Sequence, residues 1–92
     1  MTESEDPFEW DSAKNCSNAG KHGVPLSAAV QFDFSSAFIV ADTRKDYGEP
    51  RLNAYGYDVE GHAMTLCFTV RDEKIRFISY RRMNQREQAK FL

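Results

Sequence analysis

Hydrophobic and polar positions follow two rhythms along this chain, and the change between them falls near residue 34. Phe8-Glu9-Trp10 reads apolar, polar, apolar, the pattern of a short strand. Asp11 follows where a helix N-cap belongs, its carboxylate able to accept from the first unpaired N–H groups. The helix runs to about His22, where Gly23 supplies a C-terminal stop. Asp11, Lys14, Asn18 and Lys21 form a polar stripe along it. Ala13, Cys16, Ala19 and Gly20 form a second stripe of small residues, suited to lie close against a support. Pro25 suits the entry to a second, shorter helix through Leu26, Ala29, Val30 and Phe32.

From Phe34 onward the period becomes two. Ala37-Phe38-Ile39-Val40-Ala41 reads as a strand, and residues 42–50 as a charged loop turning at Gly48. Strands follow over about 51–58, 62–71 and 74–81. They are joined by Asp58-Val59-Glu60-Gly61 and Arg71-Asp72-Glu73-Lys74, connections of the antiparallel-hairpin kind. Asn84 caps a closing helix of about two turns. The order β-α-α-β-β-β-β-α predicts an α+β domain, with two N-terminal helices and one C-terminal helix around a mostly antiparallel meander sheet. Residues 7–92 form this single domain, behind an acidic tail at 1–6 expected to be disordered.

Composition narrows the class. Ninety-two residues, 41% hydrophobic, supply one small core. No stretch approaches the ~18 apolar residues of a membrane span, and the acidic start has no apolar run of a secretory signal, so a cytoplasmic protein is expected. Cys16 and Cys67 are too few for a disulfide scaffold and show no C-x-x-C metal spacing; they read as buried small hydrophobes. No cofactor and no metal site is expected. The net charge of −2 argues weakly against a nucleic-acid partner, but it divides into −6 over residues 1–70 and +4 over 71–92. A basic final quarter on an acidic body suggests a local polyanion site.

Strand faces place the charges. Arg51, Asn53, Tyr55 and Tyr57 share one face of their strand, and Leu52, Ala54 and Gly56 the other, where a helix would press. Met64, Leu66, Phe68 and Val70 read as core. Strict alternation splits the last strand into Arg76, Ile78, Tyr80, Arg82 and Ile75, Phe77, Ser79, Arg81, which puts Arg76 and Arg82 together. Arginines beside tyrosines make a surface for RNA, through forked donors to phosphate and rings to stack on bases. The competing reading fills the core with the aromatics and lets the arginines snorkel to solvent.

The run Phe8-Glu9-Trp10-Asp11, with Lys14, Asn18 and Lys21-His22-Gly23-Val24, resembles the opening of the BrnT family. The resemblance continues through Asp42-Thr43-Arg44-Lys45-Asp46-Tyr47-Gly48-Glu49, Arg51 and Ala54-Tyr55-Gly56. It ends in Ile75-Arg76-Phe77-Ile78-Ser79-Tyr80-Arg81-Arg82 with Asn84, Arg86 and Glu87. It departs at Gly20, where a larger polar residue is usual, and at Phe91, where the family commonly carries a tyrosine. The resemblance implies a RelE-like fold and a toxin of a type II toxin–antitoxin system. Such a toxin is an endoribonuclease that blocks translation and is neutralised by a BrnA-like antitoxin. Operator DNA is then met only indirectly, through the antitoxin.

Metal-free RNA cleavage needs a base for the 2′-OH, positive charge at the phosphorane and a proton for the leaving 5′-oxygen. Arg51, Arg76, Arg81 and Arg82 are candidates for the charge, with Lys21, Tyr55 and Arg81 as RNA contacts. Glu49 and His22 are both candidates for the base. Glu49 lies two residues before Arg51 and would point the same way, while His22 could titrate near neutrality or simply close the helix. His62 reads as a surface residue, Trp10 as core, and Glu9 and Asp11 as structural. A second function remains open: a catalytically inactive binding module acting as co-repressor with its antitoxin. A direct DNA binder lacks a basic recognition helix.

Overall fold

The computed structural model describes residues 7–44 and 46–92; the acidic tail expected at 1–6 lies outside the described residues. Elements run β1 (Phe8–Glu9), α1 (Ser12–His22), 3-10 turns at Leu26–Gln31 and Phe34–Ser36, β2 (Phe38–Ala41), β3 (Leu52–Tyr57), β4 (Ala63–Arg71), β5 (Lys74–Arg82) and α2 (Gln85–Phe91). The fold is α+β, on a five-stranded sheet of order β1-β5-β4-β3-β2.

The caps form where the sequence places them. Asp11 accepts from the backbone N–H groups of Ala13 and Lys14 at 2.8 and 3.2 Å. Gly23, at φ 82°, closes α1 in the left-handed region that a side chain would strain. Asn84 and Glu87 make a reciprocal capping box at the start of α2.

Three expectations about the elements are corrected. The second helix is a 3-10 turn, because its buried residues Leu26, Ala29 and Phe32 recur every three positions, the 3-10 repeat. The sheet is mixed, since β2 to β5 form the antiparallel meander but β1 adds parallel to β5, Phe8 beside Ile75 and Glu9 beside Arg76. α1 is rotated from the expected orientation. Asn18 is buried while Ala13, Cys16 and Gly20 face solvent, so Cys16 is not a core residue.

Asn18 shows why. Beyond the end of β1 the outer edge of β5 has no strand beside it among the described residues, and a single side-chain amide takes that place. Its Nδ2 donates to the carbonyls of Tyr80 and Val24, both at 2.7 Å, and its Oδ1 accepts from the Tyr80 N–H at 3.3 Å. Buried backbone groups must be paired, so α1 turns its amides inward and leaves its small apolar residues outside.

One face of the sheet is covered by α1 and the 3-10 turns; here Leu26, Ala29 and Phe32 meet Ala54, Met64, Leu66, Phe68, Phe77 and Tyr80. Gly56 permits this approach, since a Cβ there would stand 3.1 Å from Ala37 and 3.2 Å from Phe32. Trp10 and Phe8 stack on Phe77 at 5.7 and 5.3 Å, as expected of core-flanking aromatics. Val70, expected in the core, is 57% exposed near the β4–β5 turn. The other face is open except where α2 and the β2–β3 loop cross it.

A bulge in β5 decides what the open face carries. Phe68 pairs with Phe77 but Cys67 with Ser79, so Ile78 is an extra residue. Phe77 and Tyr80 therefore both enter the core despite being three apart. Strict alternation fails here: Arg76 and Arg81 share the open face, opposite Thr69 and Thr65, while Arg82 falls opposite Met64 on the covered face. The expected pairing of Arg76 with Arg82 is thereby overturned.

Candidate nucleic-acid interface

The β2–β3 loop folds back over the open face around a buried carboxylate. Asp42, its side chain 1% exposed, accepts two parallel bonds from the Arg44 guanidinium at 2.9 and 2.8 Å and one from the Tyr47 hydroxyl at 3.2 Å. These donors hold its pKa far below the usual carboxylate range, the Arg44 guanidinium contributing most. Arg44 itself remains 77% exposed. The loop then sets Tyr47 beneath Arg51, whose guanidinium carbon lies 4.2 Å from the ring centre.

Glu49 and Arg51 point the same way, as an extended chain requires, with Arg51 Nε 3.9 Å from Glu49. Glu49 accepts from Arg71 at 2.6 Å, and that bond chiefly lowers its pKa. A carboxylate held between arginines is a poor proton acceptor but a good clamp for them. Arg51 Nε is buried and has no hydrogen-bond partner among the described residues.

Two adjoining hollows of about 270 and 250 Å³ share Asp42, Arg44, Asn53, Thr65 and Arg81 as lining, and so form one trough across the open face. Arg51 and Cys67 line one end; Tyr55 and Glu87 line the other. Three arginines thus converge on a polar floor.

α2 governs access to the latter end. Glu87 grips Arg81 with two bonds of 2.8 Å and accepts from Thr65 at 3.0 Å. The Arg81 bonds are the largest cause drawing the Glu87 pKa down to about 2. Phe91 stacks on Tyr55 at 3.9 Å, nearly parallel, and reaches Phe38 at 5.9 Å. One face of the Tyr55 ring is therefore already covered, and burial raises its phenol pKa.

At the bulge the trough meets a third hollow. Ile78 and Ser79 line both, and beyond them lie Lys14, Lys21 and His22 of α1. Burial first, then Lys21 and Arg81, lower the His22 pKa, so its imidazole is neutral at pH 7. The fold therefore brings Arg51, Arg81, Tyr55, Lys21 and His22 along one continuous surface. Arg76 lies on the same face beside Glu9, at 3.5 Å. Arg82 does not join them; it lines a separate cavity with Met64 and Tyr80.

Arg44, Asn53, Thr65 and Glu87 escaped the sequence reading as site residues. The Asp42–Arg44 pair was the available signal: two residues apart, they close a local turn. Asn53 and Thr65 acquire their meaning only from strand pairing.

The family model described as ribonuclease toxin, BrnT, of type II toxin–antitoxin system matches residues 10–87. The crystal structure of the Brucella abortus ribonuclease toxin BrnT superposes with a TM-score of 0.67 at 28% identity, over 85% of this chain and 96% of that one. No curated protein gives a significant match.

Proposed function

The chain belongs to the BrnT ribonuclease-toxin family of type II toxin–antitoxin systems, and on that premise we propose that it is itself an endoribonuclease working without metal in the open-face trough. The observation that carries this reading is the convergence of Arg44, Arg51 and Arg81 on one polar trough, with the neutral imidazole of His22 across the bulge.

RNA phosphate lies against Arg51 and Arg81, with Arg44 and Lys21 holding the flanking backbone. His22 takes the 2′-OH proton as the 2′-oxygen attacks phosphorus. The guanidinium groups offset the charge gathered on the phosphorane, and the bond to the 5′-oxygen breaks as solvent, free to enter the open trough, supplies its proton. The products are a 2′,3′-cyclic phosphate and a 5′-hydroxyl end. Glu49 serves as the clamp for Arg51 and Arg71 rather than as the base. Arg76 supports phosphate further along the face, and Arg82 takes no part.

RNA cleavage would inhibit translation, and a BrnA-like antitoxin would neutralise the toxin by laying an acidic or amphipathic segment into the trough. Operator DNA is reached only through that partner.

A second reading has its own observation. Glu87 already occupies Arg81 and Phe91 already covers Tyr55, as suits an inactive module that persists as co-repressor. Incubating the pure protein with RNA, with and without EDTA, separates the two. Cleavage that survives EDTA and leaves cyclic phosphate ends is expected. Intact RNA alongside tight antitoxin binding would establish the module instead.

A further inference from the structure

Asp58, Glu60 and His62 gather in the β3–β4 hairpin, at the edge of a cavity of about 400 Å³ on the covered face. Asp58 Oδ1 accepts from the backbone N–H groups of Glu60 and His62, both at 2.9 Å, which fixes the turn. Its Oδ2 stands 2.9 Å from the His62 Nδ1, and Glu60 Oε1 stands 3.7 Å from the same nitrogen. One ligand atom from each residue lies within 4.8 Å of the others. Ligands of a tetrahedral zinc-type ion, bound at about 2.0–2.2 Å, stand about 3.4 Å apart. Rotation of the Glu60 side chain, 72% exposed, closes the difference.

Tyr80 supplies an independent sign of a ligand. It lines the same cavity and is 1% exposed, yet its hydroxyl has no hydrogen-bond partner among the described residues. Burial, and then the charge of Asp58, raises its pKa to about 12, so it stays protonated and its oxygen can accept from a metal-bound water. Buried hydroxyls in folded proteins are normally paired.

We propose that Asp58, Glu60 and His62 bind a divalent transition cation of the zinc, nickel or cobalt class, with a coordinated water reaching the Tyr80 hydroxyl. One imidazole and two carboxylates favour such borderline ions over calcium or magnesium, which take oxygen ligands alone. The cation clamps the hairpin to the covered face. Because it lies across the sheet from the RNA trough, it stands or falls independently of the ribonuclease reading.

The test is titration of untagged, EDTA-treated full-length protein with cobalt(II), read by visible ligand-field absorption and by Tm. Binding with a raised Tm is expected, and both effects should vanish in Glu60→Gln and His62→Ala. Both variants keep the Asp58 bonds to the Glu60 and His62 backbone N–H groups, which hold the turn. Tyr80→Phe should leave the cation-free Tm undiminished while weakening cobalt binding severalfold. An unchanged cobalt response in His62→Ala, or no response of the wild type to cobalt, nickel or zinc at about 1 mM, overturns the site. Unchanged affinity in Tyr80→Phe overturns the water bridge.

Discussion

Adjacent arginines in β5 have opposite fates, and that contrast gives the sharpest prediction. Arg81→Ala should lower RNA cleavage about 100-fold or more, the scale expected for losing one transition-state donor. Arg82→Ala should leave cleavage within about twofold, because its side chain is on the other face; equal loss in both would refute the trough. His22 sets the pH dependence. Its lowered pKa puts the acid limb below that of an ordinary imidazole, so cleavage should hold through neutrality and fall only as acid protonates the base. A rate already halved at pH 6.5, or loss on raising pH toward 8, would exclude His22 from that role. Asn18 is the residue whose value was least visible in the chain. Replacement by Leu strands the Tyr80 N–H and carbonyl and should cost about 2–4 kcal/mol in chemical denaturation. Nothing in sequence distinguished this amide from an exposed one, because its partner lies 62 positions away.

At the level of elements, what depends on neighbouring residues was legible and what depends on pairing was not. Asp11, Gly23 and Asn84 announce helix ends because a cap involves residues two to four apart. Asp72 and Glu73 take positive φ in the β4–β5 turn although neither is glycine, and the two-residue spacing alone located that turn. The Ile78 bulge had no such local sign. It exists because Phe77 and Tyr80 must both face the core, and it transfers every later side chain to the opposite face. Leu26, Ala29, Val30 and Phe32 offered spacings of both three and four, so only the exposure of Val30 in the folded chain separates the 3-10 turn from the helix expected there. The contact of α2 with the sheet is electrostatic at Glu87 and aromatic at Phe91. Glu87 has a folded pKa of about 2 against an ordinary 4.5, so the stability it lends is complete above pH 4.5 and disappears as pH falls toward 2. The loss should be of order 2 kcal/mol, read as acid-induced release of α2; Glu87→Gln should show the same deficit at pH 7 and no further acid loss from this pair.

For the whole molecule, charge along the chain proved a poor map of charge in space. The basic last quarter disperses: Arg71 joins Glu49, Arg76 joins Glu9, Arg81 joins Glu87, and Arg82 turns away. Two of the three trough arginines, Arg44 and Arg51, come instead from the acidic body, delivered by the loop that Asp42 anchors. One phosphate between Arg51 and Arg81, with others at Arg44, Lys21 and Arg76, predicts that log affinity for single-stranded RNA falls against log salt with a slope of about −3, at roughly 0.7 per phosphate. Filter binding between low and physiological salt measures it, and a slope near zero would place RNA elsewhere. The parallel seating of β1 on β5 also has a temporal meaning. The first strand and the Asn18 clasp have nothing to hold until the chain has been made through Tyr80. Contacts this distant in sequence form late, because loop closure precedes any gain from them. A growing polypeptide therefore carries His22 and Arg81 apart, and the trough assembles only once β5 has been made and can pair.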